Sequence, residues 1–113
     1  MENPYDIKAG NVKTNIMAGN SQGVFYDFGR IKEDGELTIT LNKVTSGVEC
    51  DITVTRICDN IPRSETLSSN SEDGKSVTIE VYEDDVIEII VAVLPDEKFQ
   101  YPAATVDWDI SLS

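Results

Sequence analysis

The stretch from Gly23 to Leu41, GVFYDFGRIKEDGELTITL, decides the fold class. Apolar side chains occupy every second position in both of its halves: Val24, Tyr26 and Phe28, then Leu37, Ile39 and Leu41. This period of two places each triplet on one face of a β-strand. Glu33-Asp34-Gly35 lies between them and is a strong turn signal. The stretch therefore predicts a β-hairpin with a buried aromatic and aliphatic face.

The rest of the chain repeats this alternation of apolar and polar residues. Further predicted strands cover residues 11–18, 48–58, 75–82, 86–94 and 104–113, with a short edge strand around 64–67. The predicted strand over 104–113 places Val106, Trp108, Ile110 and Leu112 inward. Seven or eight strands without a helical pattern predict an all-β fold, a two-sheet antiparallel sandwich. We expect a single domain over residues 1–113, with residues 1–10 as a lead-in segment.

Four segments depart from simple alternation. Residues 86–94 are apolar on both faces apart from Glu88, which predicts a central strand covered on both sides. Arg56-Ile57 breaks the phase of its strand and indicates a bulge or the end of the strand. Residues 59–73 are rich in turn-forming residues and predict a long loop. Asp84-Asp85 predicts a turn.

The charge balance narrows the classes of partner. The chain carries 21 acidic and nine basic residues, a formal net charge of −12. This balance repels phosphate backbones, so we expect no nucleic-acid binding. Cations, neutral sugars and basic protein surfaces stay open, and solubility alone would also explain the charge.

The sequence contains no histidine, which removes the usual general base and the commonest transition-metal ligand. No glycine-rich phosphate loop is present, and nothing singles out a pair of carboxylates for glycoside hydrolysis. We therefore expect no enzymatic activity.

The two cysteines, Cys50 and Cys58, lie in one predicted strand. Eight residues of strand would separate them by roughly 26 Å at about 3.3 Å per residue. This is far beyond the reach of a disulfide, so we expect two buried thiols.

The longest apolar run, Ile89 to Leu94, is too short to span a membrane, so we expect no membrane insertion. The first ten residues lack the basic and then apolar pattern of a secretory signal. The protein could stay inside the cell, leave by another route, or be a domain of a longer secreted chain.

The order of these signals resembles the bacterial pre-peptidase C-terminal domain family, to which the collagen-binding domains of clostridial collagenases are related. The resemblance rests on Tyr26 and Phe28; Gly35, Leu37, Ile39 and Leu41; Glu49, Asp51, Ile52 and Val54; and Trp108, Ile110 and Leu112. It implies a sandwich of jelly-roll type, appended to secreted hydrolases as an accessory module and located outside the cell or on its surface.

Two sets of residues are candidate sites. Oxygen-bearing side chains could hold a calcium ion: Glu2, Asn3, Asp6, Glu49 and Asp51. Aromatic side chains could contact a sugar or a protein: Phe99, Tyr101, Tyr82 and Tyr5. The alternatives are a merely repulsive acidic surface for the first set and, for Phe99, a plug at the open end of the sandwich. Calcium is the one cofactor that we consider.

Three functions remain after these exclusions. The first is a non-catalytic accessory module that binds a protein or polysaccharide surface. The second is a structural or decoration protein of a virion or cell surface, which would assemble as a homo-oligomer through sheet edges. The third is an acidic inhibitor that mimics DNA and binds a basic protein. The family resemblance favours the first.

Overall fold

The computed structural model describes residues 6–17, 23–45, 49–68, 75–93 and 103–113. Eight strands occupy these ranges: β1 (Gly10–Met17), β2 (Val24–Arg30), β3 (Gly35–Val44), β4 (Cys50–Cys58), β5 (Ile61–Ser68), β6 (Ser76–Val81), β7 (Val86–Val93) and β8 (Ala103–Leu112). The described ranges include no helix that could cross a membrane. The predicted all-β class is confirmed.

The strands form two antiparallel sheets of four strands each. The first sheet has the order β1-β8-β3-β6 and the second has the order β2-β7-β4-β5. The pairs β1–β8, β2–β7, β3–β6 and β4–β5 are nested, as if one long hairpin had been folded over on itself. This nesting is the topology of a jelly roll, so the predicted sandwich of jelly-roll type is confirmed.

The predicted hairpin between β2 and β3 is wrong, because these strands lie in different sheets. The connection between them contains Ile31, which is buried between the sheets. The Ile31 amide donates to the carbonyl of Asp85 at 2.8 Å, and the Asp84 amide donates to the carbonyl of Ile31 at 2.8 Å. The connection is thus bonded to the turn before β7 instead of closing on itself. Alternation identifies the buried face of a strand but does not identify its hydrogen-bonded neighbour.

The core fills the space between the two inward faces. Its largest fully buried side chains include Trp108, Leu37, Ile39, Ile52, Ile87 and Ile89. Val106, Trp108 and Ile110 face inward as predicted. Leu112 lies on the same face, opposite the buried Leu37, but remains 42% exposed at the end of the last strand.

A polar side chain from β1 lies inside this core. Thr14 occupies the inward position between Val12 and Ile16 on β1 and is buried. Its hydroxyl accepts from Trp108 Nε1 at 3.0 Å and lies 2.7 Å from the Tyr26 hydroxyl. The Tyr26 and Trp108 rings meet edge to face with centroids 5.7 Å apart. We call Thr14, Tyr26 and Trp108 the buried triad; it links β1, β8 and the opposite sheet through satisfied hydrogen bonds.

The predicted loop over 59–73 is partly wrong, because residues 59–60 form a tight turn and β5 begins at Ile61. The short edge strand predicted around 64–67 lies within β5 and is confirmed, and residues 69–73 lie outside the described residues. Asp59 and Asn60 both have positive φ angles, 51° and 66°. Asp and Asn tolerate this conformation, and two such residues make the turn that suits a β-hairpin. Pro62 is compatible with β5 because this strand lies at a sheet edge.

The predicted interruption of β4 at Arg56 is also wrong. The register of β4 against β7 runs from Cys50 opposite Val93 to Ile57 opposite Val86 without a shift. Arg56 lies opposite the buried Ile87. It therefore holds an inward position, and the apolar pattern stops there while the strand continues.

Two further expectations are corrected on the second sheet. β7 is central as predicted, but Ile90 on its outward face is 37% exposed in the described part of the molecule. Cys50 is buried, whereas Cys58 is exposed at the end of β4. The two cysteines do not form a disulfide with each other.

Candidate functional site: a polar groove between two sheet edges

A groove of about 380 Å³ lies on the side of the sandwich where β5 and β6 contact each other. These are edge strands of opposite sheets. We call this feature the edge groove; it is lined by Arg56, Arg63, Ser64, Glu65, Thr78, Ile79, Glu80 and Tyr82. It combines charged and aromatic side chains at the margin of the hydrophobic core.

The sequence of β5 keeps the groove open. Leu67 faces inward and is buried. The next two positions of the same phase are Glu65, opposite Val54, and Arg63, opposite Arg56. Both are exposed. Because charged side chains resist burial without a partner, the sheets cannot close over these positions as they close over Leu67.

Arg56 is anchored at the inner end of the groove. Its Nη1 lies 3.5 Å from Asp85 Oδ2, with 15% of the Arg56 side chain and 1% of the Asp85 side chain exposed. The same nitrogen donates to the Glu80 carbonyl at 3.3 Å. Asp85 also accepts from the Tyr82 amide at 2.9 Å, which fixes the turn before β7 as the sequence predicts. Such partners offset the cost of removing a buried carboxylate from water.

Tyr82 forms one wall of the groove. The guanidinium carbon of Arg56 lies 5.2 Å from the centre of its ring, a cation–π contact. Its hydroxyl donates to Glu80 Oε2 at 2.8 Å, and this hydrogen bond raises the pKa of Tyr82 above its usual value. The residue is nevertheless 44% exposed. We call Arg56, Asp85 and Tyr82 the edge cluster; it holds a ring in a fixed orientation while part of the ring faces solvent.

Cys58 lies near this cluster. Hydrogen bonding to Asp85, partial desolvation and the charge of Asp59 raise the pKa of its thiol. Because the reactive form of cysteine is the thiolate, the raised pKa lowers the reactivity of Cys58 at neutral pH.

The predicted contact residues are only partly within the described chain. Tyr82 lies in the edge groove, whereas Phe99, Tyr101 and Tyr5 lie outside the described residues. Sequence reasoning missed Arg56, Arg63 and Glu65. Arg56 could have been found from the sequence, because it occupies a position of the apolar phase of β4. Arg63 and Glu65 could not, because only the pairing of β5 with β4 shows that they face the groove.

The structure separates the predicted calcium ligands that it describes. Asp6 bridges Asp27, which lies opposite Glu88 on β7, whereas Asp51 lies opposite Ala92. These positions on β7 are four residues apart, or about 13 Å. Glu49 is exposed at the start of β4, and Glu2 and Asn3 lie outside the described residues. The described ranges contain no group of three or more acidic or cysteine side chains suited to a metal ion. Calcium binding stays a prediction.

The edge groove offers a ligand both kinds of hydrogen-bonding group. Two arginines supply donors in fixed planes, and two glutamates supply acceptors. The formal charges of these four side chains balance, and the buried Asp85 that pairs with Arg56 adds one negative charge beneath them. The groove is therefore a polar surface of low net charge with an aromatic wall, in a chain whose net charge is −12.

Comparison with family models, curated proteins and solved structures finds no match for this chain. The resemblance to pre-peptidase C-terminal domains therefore stays a prediction from the sequence motifs.

Proposed function

We propose that this chain is a non-catalytic binding module that contacts a polysaccharide through the edge groove. One observation supports the proposal above the others: an oriented, part-exposed tyrosine ring stands beside a balanced set of arginine donors and glutamate acceptors. Such a combination of a few directed polar groups and an apolar surface is typical of ligand sites.

A neutral sugar chain fits these groups better than a polyanion does. Each sugar hydroxyl can donate and accept, so it can satisfy Arg63 and Glu65 together. The C–H face of a sugar ring can pack on the exposed face of Tyr82. A polyanion would meet the two glutamates of the groove and the repulsion of the whole chain.

Affinity electrophoresis tests this proposal. The purified chain is run through gels that contain xylan, laminarin or dextran as neutral probes and polygalacturonate as an acidic probe. We expect at least one neutral polysaccharide to slow the chain, with little dependence on salt, because no net charge is neutralised in the groove.

Two substitutions locate the contact. Tyr82→Ala should abolish the retardation, because it removes the aromatic wall. Phe25→Ala is the matched control, since Phe25 is 48% exposed but lies on β2, away from the groove. Retardation by no neutral probe, or equal retardation of both variants, would contradict the proposal.

A further inference from the structure

The outer face of the second sheet carries an exposed apolar pair. Phe25 on β2 lies opposite Ile90 on β7. They are 48% and 37% exposed, so these large neighbouring side chains both face solvent in the described structure. Thr53 of β4 continues the same row on the other side of Ile90. Exposed apolar side chains that lie together mark surfaces of interaction more often than single ones do.

The next row of the same face is acidic. Asp27 lies opposite Glu88, and Asp6 forms a bridge to Asp27. Like charges placed directly opposite each other destabilise a sheet. Neither Asp27 nor Glu88 forms an ion pair with the described residues. Asp27 Oδ1 accepts from the Gly29 amide at 2.8 Å, but no cation of the described residues neutralises this row, so the face carries net negative charge directly beside an apolar surface.

We propose that this face, formed by Phe25, Ile90, Asp27 and Glu88, docks a protein partner that presents an apolar side chain next to a lysine or arginine. The apolar pair provides contact area, and the acidic row selects a partner of opposite charge. The partner is distinct from the polysaccharide, because the edge groove lies at β5 and β6 and this face lies on β2 and β7.

A second copy of the chain fits this face poorly. Asp51 lies opposite Ala92, in the row on the other side of the apolar pair. A two-fold axis along the strands would bring the acidic rows of the two copies together, and one across the strands would bring the acidic row of each copy against the row of Asp51 in the other. Each copy also carries a net charge of −12. Like-charge contacts of this kind disfavour association, so complementarity points to a basic partner.

A peptide titration followed by NMR tests the inference. The probe is a synthetic eight-residue peptide that alternates valine and lysine. Its controls alternate valine with glutamate, which reverses the charge, and serine with lysine, which removes the apolar part. We expect the valine–lysine peptide to shift amide signals at Phe25, Ile90 and Thr53, and to bind at least tenfold more tightly than either control.

Variants separate the apolar and acidic contributions. Phe25→Ser and, as a second apolar variant, Ile90→Thr should each weaken the peptide at least tenfold. The double variant Asp27→Asn with Glu88→Gln should do the same and should reduce the dependence on salt. Glu33→Gln with Glu36→Gln is the matched control, because it removes two exposed charges elsewhere and should change binding less than twofold.

Any of four results would overturn the inference. One is equal binding of the serine–lysine peptide, which would mean that charge alone attracts it. Another is a set of amide shifts that lie outside this face. Unchanged peptide binding by both apolar variants would also overturn it. The last is a dimer in light scattering that Phe25→Ser abolishes, which would assign the face to a second copy.

Discussion

The buried triad and the edge cluster each combine a tyrosine with polar groups that meet the interior, with opposite results. Thr14, Tyr26 and Trp108 all hold inward positions on their strands. In the edge cluster only Arg56 does so, because Tyr82 and Asp85 lie in the turn between β6 and β7. In the buried triad, the groups are covered by both sheets and bond to one another. In the edge cluster, Asp85 is buried, but Arg56 and Tyr82 reach the surface of the groove.

The difference lies in what covers the two sites. The buried triad is enclosed because strands of both sheets bring apolar neighbours over it. The edge cluster is open because the inward positions of β5 turn from leucine to glutamate and arginine. An inward polar group is thus structural where the sheets close and is accessible to a ligand where their edges part. The following substitutions test this distinction.

The largest expected effect is that of Trp108→Ala. Truncating a fully buried tryptophan leaves a cavity and removes the indole N–H that Thr14 accepts. We expect the free energy of unfolding in urea to fall by about 3–5 kcal/mol. Phe25→Ala is the exposed control and should lower it by less than about 1 kcal/mol. Equal effects would contradict the enclosed position of the triad.

Asp85→Ala should have the next largest effect. It leaves the Arg56 guanidinium without its carboxylate and the Tyr82 amide without its acceptor. We expect a loss of about 3 kcal/mol, near the lower end for a broken buried pair because Arg56 can reach water. Asp84→Asn disrupts only the exposed 3.9 Å pair with Arg30 and should cost less than about 0.5 kcal/mol.

The same pair allows a sharper test by double substitution. Arg56→Met removes the cation that Asp85→Ala leaves behind, so the double variant should be more stable than the sum of the single effects predicts. If the losses in the free energy of unfolding, measured in urea, are strictly additive, the two side chains do not interact.

Thr14→Val should cost about 1–2 kcal/mol. The substitution conserves shape but removes the acceptor of a buried indole N–H. Thr38→Val makes the same chemical change in an exposed threonine pair on the outer face and should be nearly neutral. A shift of the Trp108 indole N–H signal in NMR would accompany the first variant and not the second.

The smallest expected effect concerns Asp107 on the outer face of β8. Hydrogen bonds from the amides of Asn11 and Asn42 hold the pKa of Asp107 below its ordinary value of 3.8. A lowered folded-state pKa stabilises the fold above this ordinary value, and the contribution disappears as the pH falls through the folded-state pKa. As the pH is lowered from about 5 to about 2, the thermal unfolding temperature should therefore fall less steeply in Asp107→Asn than in the parent chain. Parallel curves would contradict the assignment.

The sequence predicts the strands better than it predicts their partners. The period of two correctly places Val106, Trp108 and Ile110 inward, because one face of β8 is buried along most of its length. It could not show that β2 and β3 lie in different sheets. The hydrogen-bonded partners of β2 and β3 are distant in sequence. A turn signal between two strands is also compatible with a chain that passes from one sheet to the other.

The edge groove was less predictable than the core. Arg63 and Glu65 alternate with other polar residues, so β5 carries almost no amphipathic signal. Only its register against β4 shows which of its side chains face the groove. Tyr82 could be singled out from the sequence as an aromatic residue beside a turn. The position of Arg56 next to its ring depends on the pairing of β4 with β7.

Side-chain NMR of the two sites during a sugar titration tests the central claim most directly. Neutral hexasaccharides of the xylan, laminarin and dextran series are added to the ¹⁵N-labelled chain. The Nε–H signals of Arg56 and Arg63 report on the edge groove, and the indole N–H of Trp108 reports on the buried triad. We predict that at least one sugar moves the arginine signals and leaves the indole signal in place. Arginine signals that no sugar moves, or that move no more than the indole signal, would contradict the edge groove as the ligand surface.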